Sequence, residues 1–158
     1  MGKFGDAFTN FATATTAKTA LALDCNAAGV RGELVYLAAG GAAVAPASKQ
    51  HEVWVAKCTF ATAGTAGSSP TPAPFDEGAA AAEILAGIEF SAEPTVIDAT
   101  DGAFALYEGF NQYGGMKWGV PQGEGIGISN AYTKRGVCVR CLSDVAGAIS
   151  GCGHWWEP

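Results

Sequence analysis

Hydrophobic residues along this chain recur at intervals of two over short runs, and no long run keeps the spacing of an amphipathic helix. That alternation sends successive side chains to opposite faces of a strand. In residues 13–25, TATTAKTALALDC, Leu21, Leu23 and Cys25 share one face and Lys18, Ala20, Ala22 and Asp24 the other, which predicts a half-buried strand. Residues 31–38, RGELVYLA, put Leu34 and Tyr36 on one side and Val35 and Leu37 on the other, the pattern of a central strand covered on both faces. Residues 51–62, HEVWVAKCTFAT, align Trp54, Ala56, Cys58 and Phe60, an aromatic face expected to point inward. Residues 123–129 and 136–143 predict strands around a turn at 130–135, and residues 149–157 a last strand ending in His154-Trp155-Trp156.

The intervening segments lack this period. Residues 63–78, AGTAGSSPTPAPFDEG, hold a density of Pro, Ser and Gly that no sheet interior tolerates, so they predict an extended surface loop suited to contacts. Residues 79–90 predict a short helical or irregular entry followed by a strand from 84 to 90. The stretch 104–128 holds five aromatics and seven glycines, and Gly114-Gly115, Gly119 and Pro121 deny it a helix; it reads as the middle of an all-β core. Residues 1–12 show no period and predict an N-terminal arm that frays or docks on a neighbour, anchored by Phe4, Phe8 and Phe11. Seven to nine short strands without βαβ alternation predict an all-β antiparallel β-sandwich, jelly-roll-like, with about eight strands and long loops, formed as one domain over residues 13–158. A chain of 158 residues buries roughly 70% of its unfolded surface, enough for a core without staples.

Nine basic against fifteen acidic residues, with no basic run, predict repulsion from nucleic acid. No apolar run reaches the roughly 18 residues of a membrane helix, and Asp6 interrupts any N-terminal export or acylation pattern, so no membrane association is expected. Five cysteines, an odd number, fit free buried thiols better than a disulfide framework.

Cys138, Cys141, Cys152 and His154 have the three thiols and one imidazole of a structural zinc site, but in a continuous strand Cys138 and Cys141 point to opposite faces, so buried thiols or a disulfide are preferred. Asp98 and Asp101 resemble half of a calcium loop and lack its downstream glutamate. Gly123-Glu124-Gly125-Ile126-Gly127 has neither the lysine nor the helix of a phosphate loop. Two histidines, His51 and His154, stand outside any nucleophile motif, so neither enzymatic activity nor a cofactor is expected. Trp118, Trp155 and Trp156 fit a sugar-stacking platform or, more commonly, a core or subunit interface.

Several of these segments, in order, form a recognisable series: TATTAKTALALDC, GVRGELVYLA, GTAGSSPTPAPFDEGAAAA, FSAEPT, GGMKWGVPQGEGIGIS and a last strand ending in Glu157. Together they resemble a family of small structural proteins of tailed bacteriophage virions. The resemblance implies a capsid cement or decoration protein, assembled in the host cytoplasm onto the capsid exterior. It also implies binding to the major capsid protein and to further copies of itself, commonly as a homotrimer, with no active site. On that reading the contact candidates are Phe4, Phe8 and Phe11 of the arm, Pro70, Pro72, Pro74 and Phe75 of the loop, and Trp155 and Trp156. The alternative is a carbohydrate-binding β-sandwich on a phage fibre or tail.

Overall fold

The structure is a computed structural model and describes residues 2–42, 49–95, 97 and 105–158. Two antiparallel sheets pack face to face, and no helix occurs among the described residues. The strands are β1 (Gly2–Thr13), β2 (Lys18–Asp24), β3 (Arg31–Gly41), β4 (Gln50–Cys58), β5 (Ala73–Pro74), β6 (Leu85–Ile88), β7 (Leu106–Asn111), β8 (Gly115–Gly119), β9 (Ile126–Ser129), β10 (Gly136–Ser143) and β11 (Gly147–Glu157). The first sheet runs β5-β1-β11-β3-β8, with β9 also on β3; the second runs β6-β2-β10-β4-β7.

The core between the sheets is built from the inward-facing side chains of each strand. Phe4, Phe8, Phe11, Leu34, Leu37, Met116, Ile149 and Trp155 come from the first sheet; Leu21, Leu23, Val53, Val55, Val137 and Val139 come from the second. The N-terminal segment is therefore no arm: residues 2–13 form an interior strand paired with β11 from Gly2↔Glu157 to Thr13↔Gly147. A register shift between Phe8 and Phe11, with Asn10 at φ 52°, resets the period and lets Phe4, Phe8 and Phe11 all point inward.

Other expectations are also corrected. The 104–128 stretch supplies β7, β8 and β9, which lie at sheet edges; Tyr107 is 50% and Tyr113 72% exposed. Few of its positions are apolar at the two-residue period that burial needs. Strand β2 is buried on both faces. In β3 a register shift opposite His154 and Trp155 inserts Val35 as a bulge, so Leu34 and Leu37 both face the core and Tyr36 faces out. Residues 79–83 form no helix; the Glu157 carboxylate accepts the backbone N–H groups of Glu83 and Ile84 and fixes their approach to β6. In β4 it is Val53 and Val55 that face the sister sheet, while Trp54, Cys58 and Phe60 take the opposite face.

Strands β8 and β9 lie end to end along one edge of β3, at Tyr36–Gly40 and Arg31–Leu34. The Glu33 carboxylate holds the connection between them, accepting the Gly123 N–H at 2.5 Å and the Gly125 N–H at 3.2 Å. The opposite edge of that sheet is paired only briefly by β5. Beyond it, carboxylates take the β1 amides: Asp6 accepts from Ala7 and Glu89 from Thr9.

Candidate functional site: two outer faces

The outer face of the second sheet is roofed by the protein's own chain. Residues 61–69 and 91–95 with Ile97 are linked to each other and to the sheet by bridges at Thr65↔Ala92, Ser68↔Ile88 and Cys58↔Ile97. Glu93 pins this roof, accepting from the Thr19 N–H and hydroxyl and pairing with Arg140 at 3.5 Å. Beneath it lies a second, smaller core of Ala22, Cys58, Phe60, Phe90 and Cys138. Phe60, at φ 51°, turns the chain out of β4 so that its ring folds back over Gly136, where any Cβ would collide with it. Along the same face Arg140 lies over Trp54, which stacks with Tyr107.

This second core brings together two thiols whose pairing the sequence spacing did not suggest. Cys58 and Cys138 are diagonal neighbours on β4 and β10, since Gly136 opposes Cys58 and Cys138 opposes Ala56. The Cys58 sulfur accepts the Phe60 N–H at 3.3 Å and donates to the Thr95 carbonyl at 3.4 Å. A hydrogen bond from Cys138 lowers the pKa of Cys58 and raises that of Cys138. The four residues with zinc-like spacing are not brought together. Cys138 lies in the outer cluster of the second sheet, Cys141 in the central core, and Cys152 and His154 on the outer face of the first sheet. Burial pushes the Cys141 thiol up to about 12. Among the described residues no three His, Cys, Asp or Glu side chains converge as metal ligands. Asp98 and Asp101 lie outside the described residues.

His51 is fully buried between the sheets. Its Nδ1 lies 2.6 Å from the Ser143 hydroxyl, which donates to Thr13 at 2.7 Å, so β4 and β10 are tied to β1 across the sandwich. Burial lowers the His51 pKa, opposed by Asp144 and assisted by Lys49. A histidine and a serine thus meet, but sealed in the core.

Among the described residues the outer face of the first sheet has no such roof. At one level, Gly5, His154, Tyr36 and Gly119 stand side by side on β1, β11, β3 and β8. His154 stacks on Tyr36 at 4.7 Å and receives the edge of Phe75 at 4.7 Å, making a ridge of three rings across the strands. Gly5 is required here, because a Cβ would meet both His154 and Phe75. Burial and the Lys3 charge lower the His154 pKa. Next to the ridge the face drops to a floor of Ala7, Cys152 and Ala38, then Ser150, Gly40 and Gly115. Two shallow depressions occupy this floor, of about 330 Å³ beside Phe75 and about 570 Å³ beside Lys117.

The predicted contact residues divide accordingly. Phe4, Phe8, Phe11 and Trp155 are buried in the core and offer no surface. Phe75 is 56% exposed on the ridge, and Trp156 is half-buried beside it with Lys3 over its ring. Pro70 and Pro72 are half-buried and Pro74 is exposed along the approach to Phe75. Trp118 turns towards the core. Of the pieces of this face, Phe75, Trp156, Cys152 and His154 stand out in the sequence; Tyr36 and the small-residue floor become visible only once strand register is known. The chain matches no protein-family model, no curated protein and no solved structure.

Proposed function

We propose that this protein is a structural assembly module: a virion cement or decoration protein that binds the major capsid protein and further copies of itself. On this reading it sits on the capsid exterior, in a homotrimer or related assembly, without a cofactor or catalytic role. The observation that carries the reading is the contrast between a sheet face roofed by the protein's own chain and a sheet face left open with a ridge and a floor. A jelly-roll connectivity belongs to the same reading. It is supported by the strand orders β1-β11-β3-β8 and β2-β10-β4-β7, in which the chain crosses from sheet to sheet at nearly every connection.

A stiff β body with a broad open face suits repeated modest contacts, whose strength multiplies when many copies are held on one shell. The carbohydrate alternative needs open tryptophan faces, whereas Trp155 is buried, Trp118 faces the core and Trp156 lies under Lys3. Quantitative mass spectrometry of density-purified particles tests the proposal. Copy numbers comparable to the major capsid protein are expected, and absence from particles would overturn it.

A further inference from the structure

We infer that Cys58 and Cys138 form a redox-active dithiol, closed to a disulfide by a small-molecule disulfide such as oxidised glutathione, and that its closure loosens the roof over the second sheet. The inference goes beyond the assembly reading above and does not depend on it.

Strand register makes the pair. With Gly136 opposite Cys58 and Cys138 opposite Ala56, the two side chains sit at a diagonal on one face of neighbouring strands. Both thiols are free and buried, and they share a closed cluster with Ala22, Phe60 and Phe90. No other cysteine competes for either of them. Cys25 and Cys141 lie in the central core, and Cys152 lies on the other sheet. A diagonal is at the long end of what a disulfide spans, so closing the bond draws β4 and β10 together at this point. A bond made under that tension is easily reduced again, which makes the change reversible.

The two sulfurs are unequal. The Phe60 N–H reaches the Cys58 sulfur at 3.3 Å, from a turn at φ 51° whose carbonyl accepts from Arg135 at 3.3 Å. With the hydrogen bond from Cys138, this donor favours the Cys58 thiolate, the attacking form. Cys58 attacks one sulfur of the oxidant, releases the other as a thiolate and is left as a mixed disulfide. Cys138 then gives up its proton and attacks the Cys58 sulfur, releasing the second thiolate. The two protein thiols lose two electrons and two protons, and the oxidant leaves as two thiols.

Thr95 couples the pair to the roof. It joins the two halves of the roof, donating its amide to the Thr62 carbonyl at 3.1 Å and accepting the Thr62 N–H on its hydroxyl at 2.7 Å. Its own carbonyl accepts the Cys58 S–H at 3.4 Å. A disulfide has no S–H, and closure pulls the Cys58 sulfur towards β10. The joint between residues 61–69 and 91–95 thus loses one of its anchors to the sheet.

Treatment of the full chain with excess oxidised glutathione tests the switch, in a Cys152→Ser background that removes the thiol of the open face. The intact mass should fall by two hydrogens, and peptide mapping without reduction should join Cys58 to Cys138. Cys138→Ser should stop at a glutathione adduct on Cys58, whereas Cys58→Ser should react at least about tenfold more slowly. Glu93→Ala, which unpins the roof, should speed closure at least about tenfold. In the oxidised chain, amide exchange over residues 61–69 and 91–95 should quicken about threefold and return to its former rate on reduction. Unfolding curves establish that each variant is folded. Two sulfurs that merely fill space behave differently: a folded chain that keeps both thiols in excess oxidant overturns the dithiol, and a disulfide that leaves exchange in the roof unchanged overturns the switch.

Discussion

The two sheets share one core but treat their outer faces in opposite ways. On the second sheet, residues 61–69 and 91–95 fold back, and Phe60, Phe90, Cys58 and Cys138 are sealed under them. On the first sheet, Phe75 is exposed and Tyr36 and His154 are half-buried beside a floor of small side chains. The same elements, aromatic side chains over glycines, stabilise the monomer in one place and remain available to a partner in the other. Buried apolar area contributes to folding only when the chain itself covers it, so substitutions on the two faces should separate stability from assembly.

Replacing rings tests that separation most strongly. Phe90→Ala should cost about 3 kcal/mol in denaturant unfolding, because it empties a closed cluster. Tyr36→Ala, on the open face, should cost about 1 kcal/mol and act chiefly on self-association. Equal costs would mean that the open face is also folding core.

Unpinning the roof should have the next largest effect. Glu93→Ala removes both bonds to Thr19 and the ion pair with Arg140. A loss of about 2 kcal/mol is expected, with faster amide exchange confined to residues 61–69 and 91–95. Exchange that rises evenly over both sheets would show that the roof is not a separate layer.

Acid should weaken the fold by a smaller amount. His51 and His154 both have folded pKa values below 6.5, lowered chiefly by burial. The unfolded chain therefore takes up protons first as pH falls below about 6.5, and stability declines from there towards the folded pKa values. It should be unaffected by these two groups above that range. His51→Gln should flatten this decline more than His154→Gln, since only His51 is enclosed between the sheets; unfolding midpoints between pH 5 and 8 measure it.

Thiol labelling gives the finest discrimination. Cys152 is half-buried on the open face, and the other four cysteines are buried. In the native protein Cys152 should alkylate first, with Cys58 and Cys138 protected until the roof opens. Equal labelling rates, read by peptide mass spectrometry, would contradict a closed second core.

Much of the sandwich was legible because Leu21, Leu23 and Cys25, or Val53 and Val55, obey the two-residue period. Periodicity does not say which face is inside when both are apolar, and in β4 the aromatic face packs under the roof instead of in the central core. The N-terminal strand was hidden because the irregularity at Asn10 breaks the period linking Phe4, Phe8 and Phe11. The candidate site was less legible still. Zinc-like spacing joined Cys138 to Cys141 and Cys152, whereas β4–β10 register joins Cys138 to Cys58. The ridge assembles from β3, β11 and the residue after β5, positions that no local pattern connects.

The carboxylates along β1 have a consequence for how copies can multiply. With Asp6 and Glu89 occupying the amides of Ala7 and Thr9, an incoming strand finds fewer donors with which to extend the sheet sideways. Growth in the plane of the sheet, the route to fibres, is thereby discouraged, while growth perpendicular to it stays open.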